Sequence, residues 1–264
     1  MVRIGALDML ENVPSPQLWP LVSPLLSDSS RGVRVKAVDL LAALPTANQP
    51  ASDRTSFDKA AAEFIAAQRL NADRPEARSA LGTFYAHRGL AADAEAEYKT
   101  ALRLEPQFAP AAINLADLYR QLGKDDDGNQ VLQAAIQASP RDAGLHHALG
   151  LALVRAKRLN EALPELRQAA ELEPERARYT YVYGVALNSA GWKDDAIEAL
   201  QNNLVRHPND RDTLIALIGF NRDAGYIEAA LQYAEQLARI TPNDPDLNQL
   251  ISTLRQQTNK PPAQ

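Results

Sequence analysis

The sequence predicts an all-α fold, a solenoid of helix-turn-helix repeats, on three observations that share one period. Proline returns every 34 residues, at Pro106, Pro140, Pro174, Pro208 and Pro242. Glycine marks a turn at the same period, at Gly89, Gly123, Gly191 and Gly225, with only Lys157 departing from the series. Between these markers, apolar and small places stay in register: Leu81, Leu115, Leu149, Tyr183 and Leu217; Gly82, Ala116, Gly150 and Gly184; Ala94, Gly128, Ala162, Ala196 and Ala230.

Within each period, apolar residues spaced by three and four define two amphipathic helices, one on each side of the glycine turn. Glycine ends the first helix and proline ends the second. The small residues let helix axes approach, and Tyr98, Leu132, Leu166 and Leu200 are expected to fill the space beside them. One helix pair cannot hide its own apolar stripe, so each must stack on the next.

Taken in order, residues 1 to 44 hold a different repeat. Val2-Arg3-Ile4-Gly5-Ala6-Leu7-Asp8-Met9-Leu10 aligns with Val33-Arg34-Val35-Lys36-Ala37-Val38-Asp39-Leu40-Leu41, an offset of 31. The intervening segment from Pro14 to Asp28 is apolar at helical spacing but carries four prolines, which predicts a short, kinked helix. This pattern resembles short HEAT repeats, whose second helix often opens with Val-Arg. In that register Met1 falls just before a second helix, so the chain is expected to be the C-terminal part of something longer.

Residues 45 to 56 are polar and proline-bearing and are expected to be a linker. Residues 57 to 74 follow as a joining helix, because Ala60, Phe64, Ala67 and Leu70 stand one period before Ala94, Tyr98, Ala101 and Leu104. Five units then run from 75 to 244, at 75 to 108, 109 to 142, 143 to 176, 177 to 210 and 211 to 244. With their small, apolar, glycine and proline places these units resemble the tetratricopeptide repeat, which implies a right-handed α-solenoid whose first helices line a concave groove. The fifth unit departs most, with Ile218 where a small residue is expected. Residues 245 to 257 read as a capping helix with Leu247, Leu250, Ile251 and Leu254 on one face, and 258 to 264 as a disordered polar tail.

Composition narrows the functions. The net charge of −5 argues against a nucleic-acid partner, and residues 1 to 74 carry eight basic and eight acidic groups, which leaves the mild acidity to the repeats. There is no cysteine, which excludes disulfides, thiolate metal sites and covalent c-type haem attachment within this chain. No run of about 18 apolar residues is present, so no membrane insertion is expected. Nor does the N-terminus read as a secretory signal, which implies cytoplasmic residence if the chain is complete.

Catalysis has little to work with, and no cofactor or metal is implied. His146 and His147 are adjacent and diverge by about 100° on a helix. His146 stands where the tetratricopeptide repeat packs an aromatic, and His147 faces the groove as a ligand-binding or a solvated side chain. The run Asp125-Asp126-Asp127-Gly128-Asn129 invites a calcium reading, but the sixth and twelfth places are Gln130 and Ile136 rather than glycine and glutamate. Acidic residues opening a second helix serve its macrodipole.

Binding a protein or peptide partner is the better prospect. The resemblance places Thr83 and His87 inward in the first unit, and Asn114, Asp117, Arg120 and Gln121 in the second. The third unit offers His147, Leu151, Val154 and Arg155, the fourth Arg178, Tyr181, Val185 and Asn188, and the fifth Asp212, Ile215, Gly219 and Arg222. At the places where chaperone-cofactor members of the family clamp a C-terminal carboxylate stand Ser79, Thr83, Asn114, Gly144 and Ala148, and only Asn114 fits. An extended or helical peptide with apolar anchors near Leu151, Tyr181 and Val185 is expected instead, although Tyr181 and Val185 serve equally as packing residues.

The expected function is a non-catalytic interaction scaffold. HEAT-like pairs together with the segments Ala66 to Ala77 and Leu145 to Gly150 also resemble the C-terminal region of certain bacterial multihaem c-type cytochromes. That resemblance implies an exported, periplasmic protein in which this part docks partners or packs on an upstream domain of the same polypeptide. A third alternative is the regulatory repeat array of an enzyme such as a glycosyltransferase.

Overall fold

The 34-residue period becomes helix pairs because each half-period holds about three and a half turns between two residues that stop a helix. A computed structural model describes residues 2 to 12, 14 to 44 and 50 to 258, and among them there are helices and no strands. The N-terminal part comprises α1 (Val2–Asp8), α2 (Ser15–Val22), α3 (Arg31–Ala42) and α4 (Arg54–Leu70). The repeats follow as α5 (Pro75–His87) with α6 (Ala91–Leu104), α7 (Ala109–Gln121) with α8 (Asp125–Ala138), and α9 (Ala143–Arg155) with α10 (Leu159–Leu172). They continue as α11 (Ala177–Ser189) with α12 (Lys193–Arg206) and α13 (Arg211–Ala224) with α14 (Ile227–Ile240), and α15 (Pro245–Thr258) comes last. None of these helices is long and apolar enough to cross a membrane.

The chain divides into two compact units between Ser139 and Pro140. In the first, Leu18, Trp19, Val22, Val38 and Leu41 share one core with Phe57 and Phe64 of α4 and with Leu81 and Phe84 of α5. α4 therefore packs against both the N-terminal helices and the first repeat. Its first turn opens at Arg54, earlier than the apolar period reveals, because polar residues fill that turn. The Phe57 amide already closes it onto the Asp53 carbonyl at 2.9 Å, and the Asp53 carboxylate accepts from the Trp19 indole, also at 2.9 Å. The expected linker is thus shorter at its far side, and its residues 45 to 49 lie outside the described ones, as do 259 to 264 of the expected tail. α2 passes into a 3-10 turn over Ser23–Ser27, where Pro24 supplies no amide to the Pro20 carbonyl.

In the second unit, Ile197, Leu200 and Leu204 of α12 pack with Leu214, Leu217 and Ile218 of α13, Ala230, Ala234 and Leu237 of α14, and Leu247, Ile251 and Leu254 of α15. Ile218, the expected anomaly, is buried in this core, which α15 shares.

The turn between first and second helices requires left-handed backbone. Gly225 adopts φ 85° as the cap of α13, and Lys157 holds φ 60° at the equivalent place between α9 and α10. A side chain in that region costs about 1–2 kcal/mol, partly offset because lysine leaves the unfolded chain fewer conformations than glycine would. Lys157→Gly is therefore expected to stabilise the protein by about 0.5–1 kcal/mol. Urea unfolding should show the midpoint rising; an unchanged or lower midpoint would mean that the lysine contributes contacts that offset its strain.

Candidate functional site

Within the first unit α5 lies beside α7, and within the second α11 lies beside α13, so the outward residues of the first helices form a candidate surface in each unit. In the first unit, the Thr83 hydroxyl accepts from the Tyr98 hydroxyl at 3.1 Å and from Asn114 Nδ2 at 3.3 Å. Thr83 and Asn114 are brought together, but their hydrogen bonds hold α5, α6 and α7 in register. Arg120 Nε donates to Asp117 Oδ1 at 3.2 Å along α7, an exposed pair of small energetic value. His87 and Gln121 are exposed on the same helices.

The second unit arranges its residues differently. The His147 ring stacks on Tyr179 with centroids 4.5 Å apart, and the Arg176 guanidinium lies 5.0 Å from the centre of the Tyr179 ring. Two residues on, Arg178 lies 5.5 Å from the Tyr181 centroid and reaches Asp212 at 3.9 Å. Each arginine thus sits over the tyrosine three places along α11, as helical spacing allows. Leu151, Val154 and Tyr181 are half-buried against the core formed by Leu163, Leu166, Val182 and Ala186. Val185 and Asn188 are half-buried, whereas Arg155 and Arg222 are exposed. Arg222 pairs with its neighbour Asp223 at 3.2 Å, and Arg155 has no ion pair among the described residues.

One of the two alternatives for His147 is thereby removed. His147 is not a solvated side chain: its ring is half-buried on Tyr179, and Nδ1 is buried without a hydrogen-bond partner among the described residues. Tyr181 is a packing residue as well as a surface one. His146 is buried as expected, with Nδ1 2.6 Å from Glu165 and Nε2 3.0 Å from the Pro140 carbonyl. Sequence reasoning missed Arg176 and Tyr179, although the spacing of Arg176 to Tyr179 and of Arg178 to Tyr181 could have signalled both stacks. Among the described residues, no group of three or more His, Asp or Glu is placed to hold a metal ion.

Burial, and then the positive charges of Arg178 and Arg176, push the His147 pKa down to about 4. Between pH 6.5 and about 4 the unfolded chain binds a proton that the folded one refuses, so stability falls as pH falls through that window. With allowance for the water at its edge, the loss is on the order of 1 kcal/mol. His147→Phe, which keeps the stack on Tyr179, is expected to flatten this part of the stability profile in urea titrations at pH 7, 5 and 4. Identical slopes for the two proteins would contradict the assignment.

Comparisons with known proteins agree with this architecture. A family model for the tetratricopeptide repeat matches residues 51–107, 88–143 and 147–211. The peroxisomal targeting signal receptor of Candida albicans is 28% identical over 147 residues, which is 53% of this chain, and the match spans 25% of that receptor's length. Among solved structures, YrrB, described as a TPR protein with an unusual peptide-binding site, aligns with a TM-score of 0.55 at 21% identity, over 72% of this chain and 97% of that one. MamA aligns with a TM-score of 0.54 at 21% identity over 62% and 90% of the two chains. PilF of Pseudomonas aeruginosa aligns with a TM-score of 0.54 at 24% identity over 65% and 77%. At these identities the structural likeness establishes the fold.

Proposed function

The chain belongs to the tetratricopeptide repeat family, and from that premise we propose that it is a non-catalytic scaffold whose second unit captures an acidic peptide with apolar anchors on the first-helix face. One observation carries this reading. Exposed Arg155, Arg178 and Arg222 share the first-helix places of that unit with half-buried Leu151, Tyr181 and Val185; Arg178 and Arg222 are paired with Asp212 and Asp223, which leaves Arg155 as the positive charge in excess. In a chain of net charge −5, this local positive excess favours carboxylates, while the half-buried side chains offer apolar contact. A peptide-binding use of the fold by YrrB supports the reading. The HEAT-like reading of residues 1 to 44 belongs to the same proposal, supported by Leu7 of α1 and Val33, Ala37 and Val38 of α3 sharing one core.

The test uses the full chain and short peptides bearing two leucines separated by glutamates or by lysines. The glutamate peptide is expected to bind roughly ten-fold more tightly, with the margin shrinking as salt rises. Arg155→Glu combined with Arg178→Glu should invert the preference while helicity stays normal. Equal binding of both peptides, or a preference that the double variant leaves untouched, would remove this face from the proposal.

A further inference from the structure

Two departures from the repeat pattern meet an exposed tryptophan at one place in the second unit. α10 carries Pro164 inside the helix, so no amide is offered to the Asn160 carbonyl four residues earlier. Tyr183 occupies the place that is leucine in the other four pairs, at Leu81, Leu115, Leu149 and Leu217. Trp192, two residues after the start of the turn between α11 and α12, is 55% exposed. With Asn160, Leu163 and Arg167 these three line an open cavity of about 320 Å³. None of its residues is among the candidate groove residues.

The chemistry of the lining is selective. Two aromatic rings and a proline ring offer flat apolar faces. The Trp192 indole N–H and the Tyr183 hydroxyl make no hydrogen bond among the described residues, so both donors are available. A polyproline II segment presents what this surface lacks: rigid pyrrolidine faces for the rings, and backbone carbonyls that no internal hydrogen bond occupies. One turn of such a helix spans about 9 Å, a fitting length for a pocket of this size. A non-proline residue in the segment would bring an amide such as Pro164 does not offer to the Asn160 carbonyl.

Charge narrows the ligand further. Arg167 is paired with Glu171 at 3.5 Å, whereas Asp194 and Asp195, which follow Trp192 in the first turn of α12, are exposed and have no ion pair among the described residues. With Lys193 standing between Trp192 and these two carboxylates, the start of α12 keeps one negative charge in excess, which complements a cation, and the Asp195 charge is felt at the Tyr183 hydroxyl. We propose that the cavity lined by Pro164, Tyr183 and Trp192 docks a proline-rich polyproline II segment of a partner protein, with a lysine or arginine beside its prolines.

The experiment titrates the full chain with two synthetic peptides, Pro-Pro-Lys-Pro-Pro-Lys-Pro-Pro and the same sequence with glutamate for lysine, followed by calorimetry and tryptophan emission. Because Trp19 is only 6% exposed, a blue shift on saturation reports Trp192. The lysine peptide is expected to bind saturably and at least ten-fold more tightly than the glutamate one. Trp192→Ala and Tyr183→Leu, the latter restoring the residue of the other repeats, should each weaken it at least ten-fold with unchanged helicity. Arg155→Glu with Arg178→Glu should leave it unaffected, which separates this site from the proposed groove. Absence of saturation, equal binding of both peptides, or indifference to Trp192→Ala and Tyr183→Leu overturns the proposal. Self-association of the peptide-free chain that the lysine peptide competes away would also overturn it, by making a second copy the occupant.

Discussion

Gly150→Val is expected to destabilise the second unit by about 3 kcal/mol, the upper end of what overpacking costs. A Cβ built on Gly150 would lie 2.6 Å from both Cγ and Cδ2 of Leu166 and 3.3 Å from the Leu166 backbone nitrogen. Leu166 is fully buried in the core that α10 shares with α11, so its side chain cannot swing away without opening a gap elsewhere. The same contact recurs at Gly184 with Leu200, and at Gly82 with the ring of Tyr98, again at 2.6–2.7 Å. In the pair α7 and α8 the roles are exchanged: Ala116 is on the first helix, and it is Gly128 on the second that allows the close approach. Chemical denaturation of Gly150→Val, Leu166→Ala and the double variant would measure the coupling. The double variant should recover part of the loss, giving an interaction energy of about 1–2 kcal/mol. Simple additivity would mean that the clash is relieved by backbone movement rather than at Leu166. Gly219→Ala provides the contrast, since its Cβ would meet nothing within 4 Å. There the gain in helix propensity should stabilise by roughly 0.5–1 kcal/mol.

Thr213→Val is expected to cost about 2–3 kcal/mol despite conserving volume, because it strands a buried polar group. Thr213 is fully buried and Asn203 is 2% exposed. Asn203 Nδ2 donates to Thr213 Oγ1 at 2.8 Å and to the Ala177 carbonyl at 3.2 Å. The Thr213 hydroxyl donates in turn to Asp210, which also caps α13 by accepting from the Thr213 amide at 3.0 Å. This chain ties α11, α12 and α13 together through directed bonds where the rest of the contact is apolar. Valine would leave the Asn203 amide with one acceptor fewer, and Asn203 Oδ1 already has no partner. Combining Thr213→Val with Asn203→Leu should recover most of the loss, since removing both partners removes the unmet demand. A double variant as unstable as Thr213→Val alone would show instead that the cap and the packing around it carry the effect.

The periodic features were legible because they are local. Spacings of three and four within a helix, and glycine or proline at its end, act on backbone torsions a few residues away. The all-helical, paired character of the chain from Pro75 onward was therefore readable from sequence. Where prolines crowded, at residues 14 to 28, the sequence indicated a kinked helix without saying that it would become an α-helix followed by a 3-10 turn. The start of α4 escaped because Arg54, Thr55 and Ser56 have no apolar period to read.

The candidate site was legible as a set of positions, and its chemistry was not. Thr83 and Asn114 read as free polar groove residues, yet each finds its partner across a helix boundary, and Asn114 lies 31 residues from Thr83. His147 read as a groove histidine, yet Tyr179, 32 residues on, covers one face of its ring and burial depresses its basicity. Sequence by itself determined the all-helical repeat, the close-packing glycines and the absence of thiol chemistry, because these follow from residue type and short-range spacing. Only the tertiary structure decided which side chains remain available, because a hydrogen bond or a ring stack depends on the residue that the neighbouring helix brings within about 4–5 Å, one repeat away in the chain.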